Sequence, residues 1–156
     1  MNRLHGFGAF VSIVLALTAI SGCAPVRAQG PLDKTWISPG KTRISNLRPG
    51  STAKQNVTIH NGRQTPATFS IYYRIPDYVE TGFVTAPENA KAWVSVAEAT
   101  ITLEPQASRE VEVAIMVPQN ETAPARWEFW IGVREETGGS LISELRSRWL
   151  VTMKSN

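Results

Sequence analysis

Histidine, aspartate and cysteine are nearly missing from this chain. It has two histidines, one cysteine, and aspartate only at Asp33 and Asp77. His5 falls in an apolar N-terminal leader, so His60 is the one histidine downstream. A lone histidine with no cysteine beside it does not complete a metal site. It also leaves no ordinary serine–histidine–acid triad. Asp77 and Glu80, in Pro76-Asp77-Tyr78-Val79-Glu80, have the residue types of an acid–base pair, but in so turn-rich a stretch they read as a polar loop. Glycine-rich phosphate loops, dinucleotide fingerprints and EF-hand runs are absent from the sequence as well. The inventory points away from an enzyme, and no cofactor and no metal is expected.

Charge is also sparse. There are 16 Lys and Arg against 13 Asp and Glu. Arg3 lies in the leader and no acid does, so 15 bases face 13 acids beyond it. That balance is too mild for a nucleic-acid partner, and no basic stripe with interleaved aromatics stands out.

What is present begins with an address. Arg3 supplies a positive start, Phe7 to Ile20 is an apolar run of 14 residues, and Ser21 and Gly22 are small. As a helix this run rises ~21 Å, short of the ~30 Å hydrocarbon core. Residues 1–22 therefore read as a cleaved signal helix. Ile20-Ser21-Gly22-Cys23 resembles the lipobox of bacterial lipoproteins, in which the cysteine is lipidated and becomes the new N-terminus. The resemblance implies a lipid on Cys23 and the membrane as a partner. The other reading is an ordinary leader cut after Ala28, behind Val26-Arg27-Ala28. With Cys23 set aside, no disulfide is available to the exported part. Residues 23–38 read as a flexible tether rich in breakers, with Trp36 and Ile37 already packing on the domain.

Residues 39–154 alternate with period two. Arg48-Pro49-Gly50-Ser51 marks a turn. Val57 and Ile59 share a face, and Asn61-Gly62 follows as a turn tolerant of positive φ. Phe69, Ile71, Tyr73 and Ile75 share the next face, closed by Pro76. A longer irregular segment over 77–90 holds a short edge strand near Phe83-Val84. Strands over Trp93-Val96, Thr100-Leu103, Arg109-Val117, Trp127-Val133 and Leu141-Met153 complete the set. Ten prolines and eleven glycines fit this density of turns. The fold class expected is all-β, an Ig-like antiparallel β-sandwich of seven or eight strands.

The run Val57-Thr58-Ile59-His60-Asn61-Gly62 with Pro66-Ala67-Thr68-Phe69 resembles the opening of extracytoplasmic Ig-like modules of bacteria and archaea. These include surface proteins, the N-domain of pilus chaperones, and major-sperm-protein relatives. Trp93-Val94-Ser95, Ile101-Thr102-Leu103-Glu104-Pro105 and Val111 to Pro118 continue the resemblance in order. It implies a binding or scaffolding module, not a particular ligand. The pilus-chaperone mechanism itself requires a second domain and a basic cleft, for which 156 residues leave no room.

One surface hypothesis follows from parity. Trp130 lies opposite to Trp127, Phe129, Ile131 and Val133, and Tyr72 and Arg74 lie opposite to the apolar face of their strand. Tyr72, Arg74, Trp130 and Arg134, joined by Arg148, then form an outward aromatic–basic patch for a protein partner. The bland reading has Trp130 covered by the tether or the terminal strand. The expected protein is an exported module anchored at the cell envelope, on its periplasmic or extracellular face. Its alternatives are a carbohydrate- or peptidoglycan-binding module using exposed aromatics, and a chaperone-like factor that accepts a strand at an open sheet edge. Intact mass of the membrane-extracted protein is expected to show loss of residues 1–22 and a diacylglyceryl adduct that a Cys23→Ala variant lacks. A lipid-free chain starting at Gln29 would replace the anchored reading with a free exported one.

Overall fold

The computed structural model describes residues 34–136 and 144–154. The leader and Cys23 lie outside the described residues. The described chain forms two packed sheets with almost no helix, an Ig-like all-β sandwich. Its strands are β1 (Trp36–Ser38), β2 (Lys41–Leu47), β3 (Thr52–His60), β4 (Ala67–Arg74), β5 (Val84–Thr85), β6 (Val94–Val96), β7 (Thr100–Leu103), β8 (Ser108–Met116), β9 (Arg126–Glu135) and β10 (Glu144–Met153). The smaller sheet runs β1-β3-β8-β6. The larger runs β2-β10-β9-β4-β7, with β5 added to β9.

The ladders are antiparallel except β2 on β10 and β5 on β9, which are parallel. The number of segments exceeds seven or eight because strands split between sheets. β1 pairs with β3, the chain passes a cis Ser38–Pro39 bond, and β2 then pairs with β10. The sandwich thus starts at Trp36, inside the stretch read as tether. On the opposite side β6 pairs with β8, and β7 pairs with β4 in the other sheet. Each open flank is sealed by a strand that changes sheets, which leaves short edges only.

Local sequence explains the punctuation. Ser51 N–H donates to the Arg48 carbonyl at 3.0 Å, and Gly50 takes φ 77°, as the third position of a type II turn requires. Asn46, at φ 58°, sits where β2 carries one more residue than β10, between the Val151–Ile44 and Met153–Leu47 pairs. Asn61-Gly62 departs from the expected positive-φ turn. The strands on either side belong to different sheets, and neither residue adopts positive φ. Asn61 is buried instead. Its amide donates to the carbonyls of Thr65, Leu103 and Glu104, and its oxygen accepts from Arg63 N–H. Gly62 is needed for close approach, since a Cβ there would lie 2.2 Å from the Lys34 carbonyl carbon.

The core is aromatic along its midline. Trp127, Phe129, Ile131 and Val133 point inward as their alternation requires, joined by Trp149 and Val151 from β10. Phe129 is central: Tyr73 stacks on it at 5.5 Å, and Trp127 and Trp149 flank it at 5.8 and 5.6 Å. A short 3-10 helix, Glu88–Trp93, runs out of the segment expected to be irregular and takes in Trp93, which was expected to start the next strand; Trp93 meets Trp127 edge-on. Ile75, assigned inward from alternation, is 60% exposed because β4 ends one residue earlier. Phe129→Ala is expected to lower unfolding free energy by about 3–5 kcal/mol with the strand content retained. Urea denaturation followed by circular dichroism reads both quantities.

Candidate functional site

The outward residues of the larger sheet form a grid. Arg74, Trp130 and Arg148 lie opposite one another across β4, β9 and β10. Tyr72, Gly132 and Arg146 make the next row, and Ser70, Arg134 and Glu144 the third. The structure therefore brings Tyr72, Arg74, Trp130, Arg134 and Arg148 onto one face, with β4 and β9 adjacent as an Ig-like sandwich implies. Gly132 permits this arrangement: a Cβ there would stand 2.9 Å from the Tyr72 ring, which lies over the strand. Burial, then the charge of Glu144, pushes the Tyr72 phenol up, and the two side chains are hydrogen-bonded. The Arg134 guanidinium sits 5.9 Å from the same ring.

Trp130 departs from the expectation in one respect. It is 1% exposed, so it is no platform at the surface. Part of its cover comes from the terminal strand β10, through Arg146. The rest is a strap, residues 76–83, which leaves β4 and folds back over the sheet. Tyr78 meets Trp130 edge-on at 5.1 Å, and Arg146 lies over the indole at 5.2 Å. Tyr78 itself is 62% exposed. The ring presented to solvent is therefore Tyr78, with Trp130 as its support.

A buried carboxylate fixes the strap. Glu128 is 0% exposed. Arg148 donates to both of its oxygens, at 2.7 and 3.0 Å; Trp130 Nε1 donates at 2.7 Å and Glu80 N–H at 2.7 Å. Burial alone would raise its pKa, but the Arg148 guanidinium, the indole and the Glu80 amide more than offset that and hold it below the usual range. The strap is pinned at two further points. Asp77 pairs with Arg74 at 3.1 Å and Arg146 at 2.9 Å. Glu80 pairs with Lys41 and Arg43 from β2, each at 2.5 Å. The Arg74 hydrogen bond lowers the Asp77 pKa, and the Lys41 hydrogen bond lowers that of Glu80. Both acids are committed to ion pairs, so neither is poised to give or take a proton near neutrality.

Glu128, Tyr78 and Arg146 were missed as site residues. The signal for Glu128 was its place between Trp127 and Phe129, an acid on the outward parity of the most apolar strand. Such a position demands donors.

No family model matches the sequence, and no curated protein matches it. Solved structures do resemble the fold. The ASH / PapD-like domain 7 of human CEP192 superposes with TM-score 0.60 at 12% identity, over 94% of this chain and 96% of that one. The chaperone YadV gives 0.55 at 13%, over 78% of this chain and 52% of its own. The E. coli chaperone DraB gives 0.53 at 15%, over 77% and 55%. The match thus spans about half of each of these chaperones. At these identities the likeness is one of fold alone, an Ig-like β-sandwich.

Glu128→Gln is expected to remove the charge that compensates Arg148 and to weaken the acceptor for Glu80 N–H. The cost is about 2–3 kcal/mol, less than for a fully buried pair because Arg148 reaches solvent. Hydrogen exchange at the Glu80 amide should accelerate more than at core amides of β8. In the wild type the lowered carboxylates contribute stability that is complete above the ordinary carboxylate range and is lost as pH falls through their depressed values. Glu128→Gln should flatten that acid limb; an unchanged limb, or an unchanged Glu80 amide, would remove Glu128 from the centre of the strap.

Proposed function

We propose that this protein is a non-catalytic binding module, held at the cell envelope by lipid on Cys23, that engages a protein partner through the outer face of its larger sheet. The observation that carries the reading is the pre-arranged set of tyrosines and arginines on that face. Tyr72 is seated over Gly132, Tyr78 is braced by Trp130, and Arg74, Arg134 and Arg146 surround them. Tyr and Arg are the residue types that dominate protein interfaces. Rings and guanidinia already fixed in place lose little freedom on docking. The PapD-like fold supports a binding role in an extracytoplasmic setting by analogy. The sugar-stacking alternative loses the Trp130 indole, which is covered, and would have to rest on the tyrosines of the same face.

A second reading is favoured by one detail of the ladder. β2 pairs with β10 only from Arg148 onward. Glu144 to Arg146 have β9 on one side and no ladder partner on the other among the described residues, whereas Ser147 is buried and donates from its hydroxyl to the Pro39 carbonyl. That stretch of edge is where a partner strand would add.

A photoreactive residue at position 134 is expected to cross-link a discrete protein in intact envelopes, while one at Glu112, on the outer face of the smaller sheet, does not. Tyr72→Ala with Arg74→Ala should abolish the cross-link while circular dichroism stays unchanged. Equal yields from both faces would sink the docking-face reading. Partner-dependent protection of the Glu144 to Arg146 amides would select the strand-accepting one.

A further inference from the structure

Of the five tryptophans, four are buried and one is not. Trp93, Trp127, Trp130 and Trp149 are at most 5% exposed, whereas Trp36 is 40% exposed. It stands on β1, the three-residue edge strand of the smaller sheet. Ile37, of the opposite parity, already supplies the packing against the core. Trp36 faces outward beside His60, its partner across the ladder, and the two rings stack at 5.1 Å and 17°. His60 is fixed in turn through Nδ1, 2.9 Å from Ser108 Oγ. The indole is thus braced from one side, and no other ring stacks on it among the described residues.

Its surroundings are polar. Ser38, Thr58 and Glu110 form the next row across β1, β3 and β8, on the same outward side. The Ser38 and Thr58 hydroxyls make no hydrogen bond among the described residues. Glu110 accepts from Asn56 Nδ2 through Oε2 at 2.9 Å, which leaves Oε1 open. A rigid ring is therefore bordered by two hydroxyls, each able to donate and accept, and by a carboxylate oxygen that only accepts.

We propose that this corner of the smaller sheet binds an uncharged glycan of N-acetylhexosamines, one pyranose lying on the Trp36 indole. A pyranose has an apolar C–H face edged by hydroxyls, the complement of a flat ring edged by hydrogen-bonding groups. An acetamido group supplies an N–H donor for Glu110 and a carbonyl acceptor for the Ser38 or Thr58 hydroxyl. Glu110 and Glu112 lie on this face, and Lys54 is paired with Glu112 at 3.0 Å. That charge disfavours uronates, phosphates and an anionic bilayer surface. An apolar protein partner would leave the row of hydrogen-bonding groups unpaired. Twelve residues separate Cys23 from Trp36, at most about 45 Å of extended chain. On the anchored reading the ring therefore stays close to the envelope that holds the protein. The site itself is independent of the Arg–Tyr face, which lies on the other sheet.

The test is heteronuclear NMR titration of the full chain, purified free of lipid, with chitohexaose. It needs neither an anchor nor a protein partner, so its failure leaves those readings standing. The Trp36 indole N–H and the Ser38 and Thr58 amides should shift, and the indole N–H signals of Trp127 and Trp149 should not. Trp36→Ala should weaken binding about tenfold, and Trp36→Phe no more than about threefold. Ser38→Ala with Thr58→Val should weaken it about fivefold. All these positions face outward, so circular dichroism should match the wild type throughout. The dissociation constant should not change between about 50 and 500 mM salt, because the ligand is uncharged. No shift at about 10 mM chitohexaose, shifts centred on another face, or full binding by Trp36→Ala would each overturn the proposal. Loss of the Trp36 signal on vesicles of phosphatidylcholine and phosphatidylglycerol, without chitohexaose binding, would also overturn it and assign the ring to a membrane surface.

Discussion

A carboxylate buried without solvent has to find its donors inside the protein, and Glu128 sets that requirement for the whole larger sheet. It sits on the outward side of β9, where a strand of a half-solvated sheet would ordinarily meet water. Satisfying it draws in Arg148 from β10, turns the Trp130 indole along its own strand, and brings the backbone of Glu80 down onto the face. Once Glu80 is there, its side chain reaches Lys41 and Arg43 on β2, and Asp77 reaches Arg74 and Arg146. The position of the strap follows from one buried charge. The aromatic tip it carries, Tyr78, is presented in a single orientation for the same reason.

The two faces of β9 were legible to different degrees. Alternation in Trp127 to Val133 and in Val111 to Val117 settled which residues are core, because inward side chains only have to be apolar and to recur every second position. Parity also put Trp130, Arg74 and Arg148 on one outward face. It says nothing about what lies over that face. The cover comes from an irregular segment with no periodicity, and its placement rests on tertiary hydrogen bonds to Glu128 that no local pattern records. Asn61-Gly62 shows the same limit. The pair has the composition of a tight turn, yet its contacts are with residues 34 and 103 to 104, which are distant in sequence. Ile75 kept its parity on paper but lost its strand to Pro76.

The edges are arranged with economy. A sandwich has two open flanks, and here each is closed by one piece of chain that serves both sheets, β1 with β2 on one side and β6 with β7 on the other. Exposed edge length is kept small, and the longest edge strand, β2, carries Lys41 and Arg43 and ends in a bulge at Asn46, features that discourage unplanned pairing. The stretch of β10 from Glu144 to Arg146, with no ladder partner opposite β9 among the described residues, is the exception.

The split of the first strand also has a mechanical side. A pull transmitted along the backbone ahead of Lys34 meets β1 first, which is held to β3 by only three residue pairs. Behind it stands β2, seated along β10 over a longer register and in the same direction, so that it must slide as a whole instead of peeling. Tension on the leading end would therefore be taken up in two stages, a short zipper that yields and a sheared clamp that resists. The core strands β8 and β9 would be spared until both had given way.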